Sequence, residues 1–133
     1  MIRRLFGTTD PLSDEACGHL AQIRRESRGL DFKSSFDFGD NGAWCELIKD
    51  LVAMANTGGG YIIVGANNDG TPSGHELGGL GTVDQATVID KIGKYTDATP
   101  KDVSLRSVDL EDHRRVIFHV GAEEVPIVFV RPG

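Results

Sequence analysis

The most informative part of the sequence for the fold is Leu51-Val52-Ala53-Met54-Ala55-Asn56-Thr57-Gly58-Gly59-Gly60-Tyr61-Ile62-Ile63-Val64-Gly65. Its first part continues an apolar stripe at helical spacing that begins at Trp44. The three glycines that follow end the helix, because glycine readily takes the left-handed conformation at a helix C-terminus. The residues from Tyr61 onward are apolar without alternation, as in a central strand that is buried on both faces. The stretch therefore predicts a helix, a tight turn and a buried strand.

Further helices and strands flank this unit on both sides. Helices are predicted after Ser13 and after Thr82, because each residue can cap a following stripe of apolar side chains. Apolar and polar residues alternate in Leu30-Asp31-Phe32-Lys33-Ser34-Ser35, which predicts a half-buried strand. Near the end, the sequence predicts three more strands, at 103–110, 115–120 and 125–130. About three helices and about five strands indicate an α/β fold, as an α+β two-layer domain with a mixed sheet.

Composition and charge limit the classes of function. The chain has 133 residues, which suits one domain that includes residues 1–10 as an N-terminal arm. Its net charge of −6 counts against strong non-specific binding to nucleic acid, but a local basic patch is compatible with it. Two distant cysteines, Cys17 and Cys45, give no zinc-ribbon pattern. Since the sequence has neither a membrane-length apolar run nor a signal peptide, we expect a cytoplasmic protein without membrane contact.

Charged side chains surround the predicted first strand. Glu26 precedes this strand, Asp31 and Lys33 share its polar face, and Asp69 lies in the turn after the buried strand. If the two strands are neighbours, the three carboxylates converge near one end of the sheet. Convergent carboxylates need a cation or a proton between them, and oxygen ligands suit Mg²⁺ or Mn²⁺. Such an ion can activate water at a phosphoryl group.

Basic side chains lie beside these carboxylates and suggest contacts to phosphate. With Lys33, the basic cluster consists of Arg24, Arg25 and Arg28. The simpler alternative is that the acids and bases form ordinary surface ion pairs and that Asp69 only closes a turn; spacing alone favours this alternative. The glycine run lacks the Gly-x-x-x-x-Gly-Lys pattern and closes a helix rather than opening one, so no ATP is expected.

Two stretches resemble the Schlafen-type AlbA-like domain family (AlbA_2, formerly divergent AAA). Glu26-Ser27-Arg28-Gly29-Leu30-Asp31-Phe32-Lys33-Ser34 is similar to the family's opening motif, E-S-x-x-L/V-E-F-K-x-S. The stretch from Leu51 to Gly65 is similar to the family's helix, Ala-Asn-Thr-x-Gly-Gly turn and buried strand. Asn67-Asn68-Asp69-Gly70 resembles its acidic turn. Order and spacing agree from about Glu26 to the C-terminal strand, so the resemblance is specific.

The resemblance implies a nucleic-acid-binding domain that acts on RNA or DNA. In Schlafen proteins, related domains cut transfer and ribosomal RNA at a three-carboxylate metal site. By position, that site implies Glu26, Asp31 and Asp69 as ligands of Mg²⁺ or Mn²⁺, with Lys33 as a fourth catalytic residue at the phosphate. Two features depart from the family pattern: Asp31 stands where glutamate is usual, and asparagines replace acids that often occupy the turn before Asp69.

Three functions therefore stay open. The first is a nucleic-acid-binding domain, and the second is a metal-dependent endoribonuclease acting on tRNA or rRNA. The third is a regulatory or oligomerisation module without nucleic-acid activity, which the acidic net charge favours. Because the family's active nucleases place two lobes around a basic groove, the resemblance implies a homodimer here. Val130-Arg131-Pro132-Gly133 resembles the family's R-x-G ending, so we expect residues 1–133 to form one such domain or a fragment of a longer protein.

Overall fold

Three helices and a four-stranded sheet form the part of the chain that the structure, a computed structural model, describes: residues 10–37, 39–74, 85–96, 103–110 and 113–122. The elements are α1 (Asp14–Leu20), β1 (Leu30–Lys33), α2 (Asn41–Ala55), β2 (Gly60–Val64), α3 (Gln85–Tyr95), β3 (Val103–Leu110) and β4 (His113–Val120). This arrangement confirms the predicted α+β fold with a mixed sheet. It has one strand fewer than predicted, since the strand expected at 125–130 lies outside the described residues.

The strands follow the order β1-β2-β4-β3. β1 and β2 run parallel, with Leu30 opposite Tyr61 and Lys33 opposite Val64. The other two pairs of neighbours are antiparallel. Because parallel neighbours need a crossover, α2 connects the two strands across one face of the sheet. The first strand is therefore next to the buried one, as the candidate site requires.

Side-chain caps set where two of the helices begin. The Ser13 hydroxyl accepts a hydrogen bond from the Ala16 amide, as predicted, and the Asp40 carboxylate caps α2 by accepting from the Gly42 amide. α1 ends at Leu20, whereas the apolar spacing of Ala16, Leu20 and Ile23 predicts an end near Arg25. The reason is that the amides of Gln22 and Ile23 bond three residues back rather than four, which tightens the last turn.

The core lies on both faces of the sheet. α2 and α3 cover one face through a cluster that includes Trp44, Ile48 and Phe118. The short α1 covers the other face, where Leu20 contacts the cluster around Phe32. Trp44, where the predicted apolar stripe begins, is 1% exposed and packs in the core. In the described part of the chain, no helix has the length and apolar character needed to cross a membrane.

Candidate functional site

The site is built on the alternation of β1. Leu30 and Phe32 are buried in the cluster beneath α1, so the intervening Asp31 and Lys33 face the other way, towards α2. Both of these charged side chains are half-buried. Their shared face was predicted from the sequence, and α2 is the element that they meet.

Lys33 lies between two carboxylates. Its ammonium group is 2.7 Å from the Asp50 carboxylate on α2 and 3.4 Å from that of Asp31. The side chains of Lys33 and Asp50 are 23% and 37% exposed. Burial by itself lowers the pKa of Lys33, but the hydrogen bonds and charges of Asp50 and Asp31 outweigh it, and the pKa of Lys33 is raised. Lys33 is therefore a firmly charged ammonium group within an ion-pair cluster.

Glu26 reaches the same cluster through a tight turn. Ser27 and Leu30 exchange two backbone hydrogen bonds, so the chain reverses and the Glu26 carboxylate accepts from the Phe32 amide at 3.0 Å. A hydrogen bond with Asp31 lowers the pKa of Glu26, and the Phe32 amide lowers it further. Burial raises the pKa of Asp31, and its hydrogen bond to Glu26 adds to that rise. The two carboxyl groups are therefore coupled and titrate as a pair rather than independently.

A shallow hollow of about 360 Å³ opens beside this pair, where β1 begins and α2 ends. Glu26, Asp31 and Asp50 contribute carboxylates to its lining, and Arg28 contributes a guanidinium group. The same lining includes apolar side chains such as Met54. The hollow thus offers acceptors, one strong donor and an apolar surface to a ligand.

Asp69 lies elsewhere. It follows the carboxyl end of β2, whereas the hollow opens at the amino ends of β1 and β2, and Asp69 is not part of the lining. Its carboxylate accepts hydrogen bonds from the amide and the hydroxyl of Thr71. These bonds lower the pKa of Asp69. The structure therefore brings Glu26, Asp31 and Lys33 together and leaves Asp69 apart from them.

The described residues do not fit a three-carboxylate metal centre. Among them, no three side chains of His, Cys, Asp or Glu are grouped so that they could hold a metal ion. Lys33 already compensates the charge of Asp31, and Asp69 is engaged by its own turn. The predicted convergence of Glu26, Asp31 and Asp69 is thus not seen among the described residues, since the hollow opens at the amino ends of β1 and β2 and Asp69 follows the carboxyl end of β2.

The arginines of the basic cluster have different surroundings. Arg24 donates to the Ala21 carbonyl at 2.6 Å, which fixes its guanidinium group near the end of α1. Arg25 and Arg28 are exposed on the segment that leads into β1. Only Arg28, of the three, lines the hollow. Arg28 therefore borders the carboxylate cluster, whereas Arg24 lies beside the turn that carries Asp69.

Two findings go beyond the sequence reasoning. Asp50 is a member of the site that no motif marked, and only the packing of α2 against β1 reveals it. Phe36 follows β1, and an aromatic side chain in this predicted loop could stack on a base; it is instead buried and packs edge-on against Trp44 at 4.9 Å between ring centroids. Phe38, the other aromatic residue of this loop, lies outside the described residues.

Comparison with known proteins adds two similarities. A family model described as "Schlafen, AlbA_2" matches residues 26–130. Among solved structures, the DIP2311 protein from Corynebacterium diphtheriae is similar in fold, with a TM-score of 0.57 and 22% sequence identity over 84% of this chain. The matched part is 21% of that protein, so the chain spans about a fifth of its length. Comparison with curated proteins gives no match.

Proposed function

The chain belongs to the Schlafen AlbA_2 family, and from this membership we propose that it is a nucleic-acid-binding domain for RNA or DNA. The observation that carries the proposal is the family match, which spans the hollow and the arginine at its rim. The geometry supplies a physical reason for such binding at the beginning of β1.

Phosphate contacts come from the exposed segment before β1. Arg25 and Arg28 are free to approach a phosphate from solvent, because each has an exposed side chain. Guanidinium groups bind phosphate oxygens through paired, charge-assisted hydrogen bonds. The body of the protein is acidic, with a net charge of −6, so we expect moderate affinity that falls steeply as salt is added.

The hollow suits an unpaired base rather than a second phosphate. Its carboxylates, from Glu26, Asp31 and Asp50, would repel a phosphate, but those of Glu26 and Asp31 can accept hydrogen bonds from the amino and imino groups of a base. Apolar side chains such as Met54 can pack against the base. Single-stranded nucleic acid, with its bases accessible, is therefore the ligand that we favour.

Cleavage is not the function that the geometry favours. Endoribonuclease chemistry of the predicted kind needs Glu26, Asp31 and Asp69 to share one ion, and Asp69 does not meet the other two. Incubation of tRNA with Mn²⁺ and either the wild type or Glu26→Ala tests this point. If the wild type cuts the tRNA and the variant does not, the chain is an endoribonuclease that uses Glu26.

Fluorescence anisotropy with labelled single-stranded RNA and DNA tests the proposal. We expect binding at low salt, a loss of about threefold to tenfold for Arg28→Ala, and a salt slope that is flatter by about 0.7 for each phosphate contact removed. Arg114→Ala is the matched control. It removes the same charge from an exposed arginine at the start of β4, where Arg114 pairs with Asp109 at 2.9 Å.

Two outcomes would overturn the proposal. One is the absence of binding by the wild type at tens of micromolar in low salt. The other is an equal effect of Arg28→Ala and Arg114→Ala, because that would place the contact outside the hollow. Light scattering on the same samples gives the molar mass, which shows whether binding occurs as a monomer or a homodimer.

A further inference from the structure

We propose that Asp50 limits the affinity of this surface for nucleic acid, because its carboxylate holds the Lys33 ammonium group and competes with the phosphate of a ligand. The inference rests on the proposed function and identifies a residue that sets its strength. Asp50 thus acts as an affinity-determining residue from α2, outside the motifs that mark the family.

The Lys33 ammonium group is already paired with the Asp50 carboxylate. Lys33 donates to the Asp50 carboxylate at 2.7 Å, which is the short end of the range for a charge-assisted hydrogen bond. The second carboxylate, from Asp31, lies at 3.4 Å. Only 23% of the Lys33 side chain is exposed. A phosphate that reaches Lys33 at the border of the hollow therefore meets a lysine whose charge is already compensated on two sides.

The position of Asp50 on a regular helix favours its competition with a ligand phosphate for the Lys33 ammonium group. It lies inside α2 rather than in a loop, and Lys33 is the last residue of β1, so both partners come from regular elements. A phosphate that binds Lys33 must displace Asp50 or share the ammonium group with it, and either choice weakens binding.

Charge balance leads to the same expectation. The hollow and its immediate border carry three carboxylates, Glu26, Asp31 and Asp50, against two cations, Arg28 and Lys33. Asp50→Asn removes one negative charge and leaves the ammonium group with Asp31 as its remaining carboxylate partner. We expect about threefold to tenfold tighter binding of a single-stranded oligonucleotide at low salt, with a salt slope that is steeper by about 0.7 because one phosphate contact is gained.

Glu46→Gln is the matched control. Glu46 precedes Asp50 by one turn of the same helix and pairs with Lys49 at 3.8 Å, but both of these side chains are mostly exposed. Each substitution removes one carboxylate from one lysine pair. A general effect of net charge would appear equally in both variants, whereas release of Lys33 appears only in Asp50→Asn. We expect Glu46→Gln to change affinity less than twofold.

The double variant Lys33→Met/Asp50→Asn shows whether the increase in affinity expected for Asp50→Asn depends on Lys33. We expect the double variant to lose the gain seen with Asp50→Asn. Asp50→Ala serves as a second variant if the asparagine perturbs folding, and urea denaturation of each protein checks that the fold is intact. The probe throughout is the labelled single-stranded oligonucleotide that binds the wild type best, or, without wild-type binding, both the RNA and the DNA.

The outcomes separate this inference from the proposed function. If the wild type binds and Asp50→Asn binds no tighter than Glu46→Gln, Asp50 does not limit affinity and only this inference fails. If the gain persists in the double variant, Lys33 is not the group that Asp50 restrains, and the inference fails as well. If neither the wild type nor Asp50→Asn binds RNA or DNA, the proposed function fails together with it.

Discussion

Replacing Gly60 by alanine should separate β1 from β2. A Cβ atom at Gly60 would lie 2.7 Å from the Gly29 carbonyl oxygen, whereas ordinary contact begins at 3.4 Å. The shortfall is about 0.7 Å, and the atom on the other side is backbone that cannot rotate away. The Tyr61 amide donates to the same Gly29 carbonyl at 2.8 Å, so the two strands must part where they are bonded.

The expected loss in free energy of unfolding follows from this separation of β1 and β2. Lengthened by about 0.7 Å, the Tyr61–Gly29 hydrogen bond reaches about 3.5 Å, beyond the usual range. Its loss costs about 1 kcal/mol and the overpacking about 2 kcal/mol, while the smaller entropy of the unfolded alanine chain returns about 0.7 kcal/mol. We therefore expect Gly60→Ala to lower the free energy of unfolding by about 2 kcal/mol.

Gly58→Ala is the matched control, two residues away in the same run. Its φ is +110°, so alanine is strained there, but nothing lies within 4 Å of the added Cβ. Backbone strain of about 1.5 kcal/mol less the same entropy term leaves a cost of about 0.8 kcal/mol. Urea denaturation followed by the fluorescence of Trp44, the single tryptophan, measures both variants. A cost for Gly58→Ala equal to or above that of Gly60→Ala would refute the argument from close approach.

Three further predictions concern other parts of the fold. Burial raises the pKa of the Cys17 thiol, and Cys45 is buried as well, so neither should react with a thiol reagent until urea is added; labelling of the native protein at the rate of a free thiol would contradict this. Tyr61→Phe removes the hydroxyl that donates to the Pro11 carbonyl at 2.9 Å and should cost about 1 kcal/mol in urea denaturation, and an unchanged midpoint would count against that bond. Lys33→Met should also cost about 1 kcal/mol near neutral pH. The pKa of Lys33 is raised in the folded protein, so the ion pair contributes fully to the free energy of unfolding below the unfolded pKa of about 10.4. This contribution disappears as pH rises through the folded pKa. A stability difference between wild type and Lys33→Met that persists at higher pH would be inconsistent with the ion pair.

Patterns within one element predicted the fold well. The apolar stripe of α2 and the uninterrupted apolar run of β2 depend on local periodicity, and the glycines between them take the turn that the sequence predicts: the Gly59 amide bonds back to Met54 at 2.7 Å. The cap of α1 by Ser13 is local in the same way. Such features need no knowledge of the rest of the molecule.

The site could be predicted only in part, because it depends on contacts between distant elements. Asp31 and Lys33 share a face of β1 by simple alternation, and this was predicted. The pairing of Lys33 with Asp50 depends on how α2 rotates over β1, which no motif encodes. The direction of Asp69 depends on its turn, where Thr71 offers two hydrogen bonds to the carboxylate.

Backbone amide chemical shifts of the ¹⁵N-labelled protein, recorded while single-stranded RNA or DNA is added, show whether nucleic acid binds at the hollow beside β1. Binding at the hollow predicts that the amides of Arg28, Asp31 and Thr57 shift first, while those of Ser107 and Asp109 on β3 stay in place. Shifts concentrated on β3, or an unchanged spectrum at millimolar nucleotide in low salt, would contradict it.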